Sequence, residues 1–198
     1  MGCDNLVMKA IGDLAVLSSV SDDLDLEDFH LRARHIEDDL ENAMEATPMV
    51  SMQPQIFSYS SMPRNAPAAE QRPNQIHVTR IFAAATLAQL AALSSNDSND
   101  IRPARVRRAV SRVILEIQLS GQAVTPRQLS WPICVAGCLA DPDQQAFFER
   151  FLDDIVSEGT CMIGNCGTVR DILKACWANK LERPNEQWDC ISGTVSET

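Results

Sequence analysis

Apolar and polar positions follow one another along most of this chain with the period of an α-helix. The stretch from about Leu26 to Ala46 shows the pattern most clearly, with apolar residues spaced three and four positions apart in one stripe. By the same criterion, helices are predicted at about residues 4–18, 26–46, 76–93, 101–117, 131–140, 142–158 and 168–183. The pattern therefore predicts an all-α protein, an irregular multi-helix bundle of about seven helices.

The densest apolar run, Trp131 to Ala140, carries no charge and is too short for a bilayer, which needs about 20 apolar residues. A helix that is apolar on all sides is normally buried, so we expect this run to be the central helix of the bundle. Thr125–Gln128 and Asp141–Gln144 both have the residue pattern of a helix start. Pro132 is expected to bend or restart the chain, and Gly137 to let another helix approach closely.

The segment from Thr47 to Pro73 interrupts the helical pattern and contains five of the ten prolines. We interpret it as a disordered Pro-, Ser- and Met-rich loop within one domain that covers residues 1–198. The sequence leaves open whether this segment is a true loop or a retained intron. Order is expected to return at about Asn74, and the nearly uncharged helix that reaches Leu93 should also lie in the interior.

Charge and cysteine content narrow the class of protein. The net charge of −10 argues against nucleic-acid binding by the chain as a whole, because phosphate contacts need a basic surface. Seven cysteines, an odd number, and no secretory signal indicate a reducing intracellular compartment. Gly2-Cys3 resembles an acylated N-terminus, but Leu6 stands where myristoylation needs Ser or Thr. We therefore expect no membrane attachment.

Two clusters are candidates for metal binding. Cys134 and Cys138 lie one helical turn apart, and Cys161 and Cys166 would complete four ligands, but this spacing is not typical of zinc sites. We expect these thiols to be buried as small apolar side chains. The acidic run Asp38-Asp39-Leu40-Glu41 resembles the magnesium-binding helices of isoprenoid enzymes, but here the carboxylates lie on the polar side of an amphipathic helix.

The sequence shows no recognisable catalytic or nucleotide-binding motif. His30, His35 and His77 lie in no nucleophile motif, and the chain has no phosphate-binding glycine loop. The five arginines between Arg102 and Arg112 are expected to form a solvated face that balances the acidic N-terminal half. We therefore predict no catalytic, cofactor-binding or metal-ligating residue, and a protein that is not an enzyme.

Several segments resemble one known family. The stretch Leu129-Ser-Trp-Pro-Ile-Cys-Val-Ala-Gly-Cys-Leu-Ala140, followed by Phe147-Phe-Glu-Arg-Phe-Leu152, is similar to the C-terminal part of the fungal-specific transcription factor domain. That domain is the regulatory region of fungal binuclear zinc cluster regulators, and the acriflavine-sensitivity-control branch is the most similar. The segments at residues 168–177, 79–85, 34–40 and 11–14, with Gly2-Cys3 and Trp188, also resemble the family.

The resemblance implies a nuclear regulatory module that acts through protein partners or self-association. The chain has no Cys-x-x-Cys, so the zinc cluster, and with it zinc and DNA contact, is expected in an N-terminal module that this chain lacks. We also expect the domain to be incomplete at its N-terminus, with the core faces of the helices around Ile81 and Trp131 partly uncovered. Two alternatives stay open. One is a stand-alone helical protein that binds an apolar ligand or a protein partner without a DNA role, and the other is a metal-dependent helical enzyme.

Overall fold

A computed structural model describes residues 3–47, 71–94, 101–157 and 166–182 of the chain. These residues form seven α-helices joined in places by short 3-10 turns, which confirms the all-α prediction. The helices are α1 (Asn5–Ser19), α2 (Leu26–Ala46), α3 (Gln71–Leu93), α4 (Ile101–Ser120), α5 (Ser130–Leu139), α6 (Pro142–Ser157) and α7 (Cys166–Glu182). The 3-10 turns, Gly121–Ala123 and Pro126–Leu129, lead from α4 into α5.

Two buried helices share the interior of the bundle: α5, formed by the Trp131 run, is buried as predicted, and the longer α3 lies against it. Helix α3 packs against α1, α2, α4 and α5, whereas α5 packs against α3, α4, α6 and α7. The reason is length: at 1.5 Å per residue, α3 is roughly 35 Å long and α5 only about 15 Å. Only the longer helix can present an apolar surface to the whole N-terminal half of the bundle.

Helix α3 is long and apolar enough to be compared with a membrane span. Residues Asn74–Leu93 pass that test by length and composition, but 72% of the most apolar window is buried against other helices. His77, Thr79 and Thr86 are also buried along this helix. A core helix of a helical bundle has these properties, and we interpret α3 in that way.

Aspartate side chains cap the N-termini of three of the described helices. An Asp4 oxygen accepts a hydrogen bond from the Leu6 amide at 2.7 Å, and an Asp25 oxygen accepts one from the Asp28 amide at 2.8 Å. Before α6, Asp141 and Gln144 bond reciprocally, with the Gln144 amide 2.9 Å from Asp141 Oδ1 and the Asp141 amide 3.2 Å from Gln144 Oε1. This capping box satisfies amides that the helix leaves unpaired, and it confirms the predicted start at Asp141.

The entry into α5 differs from the prediction. Thr125 begins a 3-10 turn, in which Gln128 Oε1 accepts from the Thr125 amide at 3.3 Å, and α5 itself begins only at Ser130. Pro132 neither bends nor restarts the chain, because it lies in the first turn of α5, where a backbone N–H has no partner within the helix. The expectation for Pro132 was therefore wrong.

Two other helix starts differ from the sequence prediction. Helix α3 begins at Gln71, so Pro73 belongs to its first turn and not to the preceding loop, and α7 begins at Cys166 rather than at the predicted cap Thr168. A proline in the first turn costs no hydrogen bond, which explains why the helix can start before it. The predicted cap Asp100, residues 48–70, Cys161 and the tail from residue 183 lie outside the described residues.

The expectation of uncovered faces on α3 and α5 is wrong. Ile81 is fully buried, every α5 side chain from Val135 to Leu139 is buried, and Trp131 stacks on Phe82 with ring centroids 5.5 Å apart. Among the residues whose side chains the structure describes, the large apolar ones that are exposed belong to α1, α2, α4 and α7. They are Met8, Val16, Leu26, Leu31, Leu115, Leu119 and Ile172.

Candidate functional site: two helix junctions and a charged face

The acidic and basic segments of the sequence meet on one surface, formed by Glu37, Glu41, Arg105 and Arg112, which we call the α2–α4 charged face. Arg112 forms two hydrogen bonds to the Glu41 carboxylate, at 2.6 and 3.0 Å, and Arg105 lies 3.2 Å from Glu37. All four side chains are at least one-third exposed. The pairing agrees with the expected balance between the arginines and the acidic half, and it occupies guanidinium groups that a phosphate would need.

A third arginine of the basic segment also forms ion pairs with carboxylates. Arg107 lies 2.9 Å from Asp141 and 3.0 Å from Asp143 at the start of α6. Its backbone carbonyl accepts a hydrogen bond from the Gln144 side chain at 2.8 Å. The ion pairs of the basic segment therefore connect α4 to both α2 and α6. The side chain of Arg102 lies outside the described part of the chain.

The acidic run of α2 does not converge on a metal site. Asp39 lies 3.2 Å from the Lys9 ammonium and 3.5 Å from His35, whereas Glu41 faces Arg112. The hydrogen bonds that the Lys9 ammonium donates to Asp13 and to Asp39 raise the pKa of Lys9. Across the described residues, no group of three or more His, Cys, Asp or Glu side chains could hold a metal ion.

Arg80 of α3 forms a junction that the sequence did not reveal. Its guanidinium donates to both Glu116 carboxylate oxygens, at 2.9 and 2.7 Å, and to the backbone carbonyls of Met44 and Thr47, at 2.9 and 3.0 Å. The two side chains are 13% and 4% exposed, so the pair is almost completely removed from water. The Arg80 junction thereby joins α3 to α4 and closes the C-terminal end of α2, where helix carbonyls lack partners.

His77 lies one turn before Arg80 on α3 and is 5% exposed. Burial lowers its pKa, an effect that the nearby Glu116 carboxylate opposes and the Arg80 guanidinium reinforces. Its Nδ1 atom and Asn74 Oδ1 are both buried without a hydrogen-bond partner. Desolvation of the charged imidazolium therefore favours a neutral His77 in the folded state.

The C-terminal end of α5 is closed by α7, and we call the contact of Gly137 and Cys138 with Leu173, Cys176 and Trp177 the α5–α7 junction. The Trp177 indole donates to the Gly137 carbonyl at 2.9 Å, and the Cys176 thiol lies 3.7 Å from the Cys138 carbonyl. A β-carbon at Gly137 would lie 2.7 Å from a Leu173 methyl carbon. The close helix approach predicted at Gly137 is thus confirmed.

The cysteines at this junction and one turn before it on α5 differ in burial. Cys138 and Cys176 are buried, as expected, whereas Cys134 is only half-buried. A hydrogen bond from the Cys138 thiol lowers the pKa of Cys134 to about 7, although burial and Cys176 act in the opposite direction. That hydrogen bond, a second one with Cys176 and burial together raise the pKa of Cys138. The side chain of Cys166 lies outside the described residues, so the four-cysteine zinc hypothesis rests on residues that cannot be placed together.

A small cleft lies between α6 and α7. Its volume is about 140 Å³, and its lining includes Glu149, Asp153, Arg170 and Lys174 beside the Trp177 ring. Arg170 is 3.6 Å from Asp153, and its Nε atom is buried without a partner. Apolar ligand sites usually measure about 300–1,000 Å³ and are lined mainly by apolar side chains, so this cleft does not fit such a ligand.

The chain matches the family model of the fungal specific transcription factor domain over residues 1–193. It is similar to the transcription factor dibT of Pestalotiopsis microspora, with 31% identity over 117 residues, 59% of this chain and 18% of the relative. It is also similar to the ustiloxin B cluster transcription factor ustR of Aspergillus flavus, with 24% identity over 198 residues, 94% of this chain and 31% of the relative. The chain thus spans less than a third of the length of these curated relatives. No solved structure matches the chain.

Proposed function

The chain belongs to the fungal-specific transcription factor domain family, and we propose that it is a regulatory and interaction module of a zinc-cluster transcription regulator. The family match over residues 1–193 is the observation that supports this proposal most strongly. The helical fold agrees with it, and the relatives are themselves transcription factors. A transcription regulator acts in the nucleus, so nuclear localisation is part of the proposal.

In this proposal, DNA is read by a module other than the one described here. The chain has a net charge of −10 and no Cys-x-x-Cys spacing. Three of its α4 arginines are paired with carboxylates of α2 and α6. Base and phosphate contacts, and the zinc of the DNA-binding cluster, would therefore belong to that other module.

The role of this chain is then to bind protein partners or a second copy of itself. Val16, Leu26 and Leu31 are each more than half exposed on α1 and α2. Apolar side chains of this size on helix surfaces are suited to helix–helix contacts with a partner. The proposal assigns no catalytic step to the chain, since the family and the relatives are regulators of transcription.

A tethering experiment tests this role. The 198-residue chain is fused to a heterologous DNA-binding domain and expressed in a fungal cell that carries a reporter gene with the matching binding sites. We expect the fusion to change reporter output relative to the DNA-binding domain alone. Nuclear accumulation of the folded fusion with unchanged output would contradict the proposal.

A further inference from the structure

The cleft between α6 and α7 has no role in the function proposed above, and we call it the α6–α7 cleft. Its floor consists of the buried side chains of Leu152, Leu173 and Trp177. Its volume of about 140 Å³ is roughly the space of four or five water molecules at about 30 Å³ each. The cleft is therefore large enough for a small molecule, and the chemistry of its walls indicates which one.

The two walls of the cleft carry opposite charges. Glu149 and Asp153, one turn apart on α6, form the acidic wall, and Arg170 and Lys174, one turn apart on α7, form the basic wall. The Arg170 guanidinium is 3.6 Å from the Asp153 carboxylate, which is too long for a hydrogen bond. Within the described part of the chain, neither Glu149 nor Lys174 forms an ion pair. The four charges therefore cancel in sum but are only loosely paired with one another.

The basic wall also contains a buried hydrogen-bond donor that the chain itself does not use. The Arg170 side chain is 33% exposed, but its Nε atom is buried and has no hydrogen-bond partner. Most buried polar groups in proteins do have such a partner. A guanidinium presents its donors in a planar fork that matches the two oxygens of a carboxylate. The unused Nε–H group therefore favours a ligand that brings a carboxylate to the basic wall.

We propose that the α6–α7 cleft binds a free α-amino acid with a small side chain. The carboxylate of the amino acid accepts hydrogen bonds from Arg170 Nε and from the Lys174 ammonium group. Its own ammonium group donates to the carboxylates of Glu149 and Asp153. Its side chain lies against the apolar floor beside the Trp177 ring.

The charge pattern of the walls disfavours other small ligands. A simple anion, such as phosphate or acetate, meets the two cations but also lies close to the two carboxylates of the facing wall. A simple amine has the converse problem with the two cations. Like charges brought together at a binding surface lower the affinity, whereas a zwitterion places an opposite charge at each wall.

Binding at this cleft should also stabilise the packing of α7 on α5. Leu173 and Trp177 form part of the cleft floor and also contact Gly137 at the α5–α7 junction. A ligand that binds the folded chain and not the unfolded chain raises the melting temperature. In a transcription regulator the amino acid would act as an effector, a consequence that rests on the function proposed above, whereas the binding itself does not.

The test titrates the purified chain with three probes of similar size. L-alanine carries both charges, N-acetyl-L-alanine only the carboxylate, and L-alanine amide only the ammonium group. We expect L-alanine to shift the Arg170 Nε–H signal in heteronuclear NMR spectra, with a dissociation constant of about 1 mM or lower. At about 20 mM it should raise the melting temperature by about 5 °C. Each of the other two probes should bind at least about 10-fold more weakly, because one wall then lacks its charged partner.

Variants test each wall separately. Glu149→Gln and Arg170→Gln should each weaken the binding of L-alanine by about 10-fold or more. Arg150→Gln and Asp171→Asn are matched controls, since they remove exposed charges of the same two helices that do not line the cleft, and they should leave the dissociation constant unchanged.

Two results would overturn the proposal. One is a wild-type chain whose Arg170 signal and melting temperature do not respond to L-alanine, and the other is binding of N-acetyl-L-alanine or L-alanine amide as tight as that of L-alanine. If a variant fails to fold by circular dichroism, the three titrations of the wild-type chain decide. A chain that binds L-alanine but leaves reporter output unchanged when tethered would contradict the proposed function and not this site.

Discussion

The Arg80 junction and the α5–α7 junction both close the C-terminal end of a helix, but with different chemistry. At the first, a guanidinium paired with Glu116 donates to carbonyls at the end of α2. At the second, an indole N–H donates to a carbonyl near the end of α5, and a glycine lets the helices touch. Each junction thus adds a side-chain donor to a carbonyl near a helix end, and at Gly137 this donor joins the Ala140 amide, which bonds to the same carbonyl at 3.2 Å.

The two junctions differ in the kind of mutation that destabilises them. A buried ion pair adds little compared with apolar packing, but removing one partner leaves a charge away from water, which costs several kcal/mol. A glycine contact depends on an absent side chain, and it fails when volume is added. The Arg80 junction is therefore destabilised when one charged side chain is removed, and the α5–α7 junction is destabilised when side-chain volume is added.

The largest effect is expected from Glu116→Ala. This change leaves the Arg80 guanidinium, 13% exposed, without its carboxylate, and should lower the free energy of unfolding by about 3 kcal/mol. Urea denaturation followed by circular dichroism measures the loss. Glu41→Ala is the matched control, because it removes a carboxylate from a pair that is 37% and 42% exposed and should cost less than about 1 kcal/mol.

A double variant refines this prediction. Arg80→Met with Glu116→Leu removes both charges and should be more stable than Glu116→Ala alone. It still leaves the carbonyls of Met44 and Thr47 without the arginine, so hydrogen exchange at the end of α2 should become faster. Equal losses for Glu116→Ala and Glu41→Ala would show that burial of the Arg80 pair has no energetic consequence.

A smaller effect, with opposite signs at two glycines, tests the other junction. Gly137→Ala places a β-carbon 2.7 Å from a fully buried Leu173, and the net loss should be about 1 kcal/mol. Gly12→Ala on the exposed side of α1 meets nothing within 4 Å and should stabilise the chain by up to about 1 kcal/mol. Thermal unfolding of both variants measures this, and a gain at both positions would contradict the close packing.

The smallest effect concerns pH. Burial lowers the pKa of His77 below its ordinary value of 6.5, so the unfolded chain takes up the proton first as the pH falls. His77 is therefore expected to reduce stability as the pH falls from about 6.5 towards its lowered pKa in the folded state. Between pH 7.5 and 5.5, the wild-type chain should lose more stability than His77→Gln. His30→Gln controls for the loss of an exposed imidazole, and parallel losses in His77→Gln and wild type would contradict the burial argument.

Sequence pattern predicted the helices well, because amphipathic periodicity reports which residues face a core. It also predicted the close approach at Gly137 and the capping box at Asp141, since both depend on neighbouring residues. It predicted that both α3 and α5 lie in the interior, but not which helices each one packs against, because local apolarity does not identify the neighbours of a helix.

The Arg80 junction could not be predicted from the sequence for a related reason. Arg80 and Glu116 are 36 positions apart, and only the packing of α3 against α4 brings them together. The available signal was a single charge within an apolar stretch, as Glu116 is between Val113 and Ile117. The half-exposure of Cys134 likewise depends on tertiary packing, since Cys138 on the same helix is buried.

We propose that the chain acts as a folded interaction module within a transcription regulator. Reporter output from the tethered chain, measured for wild type, Glu116→Ala, Gly137→Ala and Glu41→Ala, tests it most directly. We predict that output falls with stability, most for Glu116→Ala, less for Gly137→Ala, and not for Glu41→Ala. A tethered wild-type chain that is folded, nuclear and without effect on the reporter would contradict the claim, as would output that does not depend on the loss of folding.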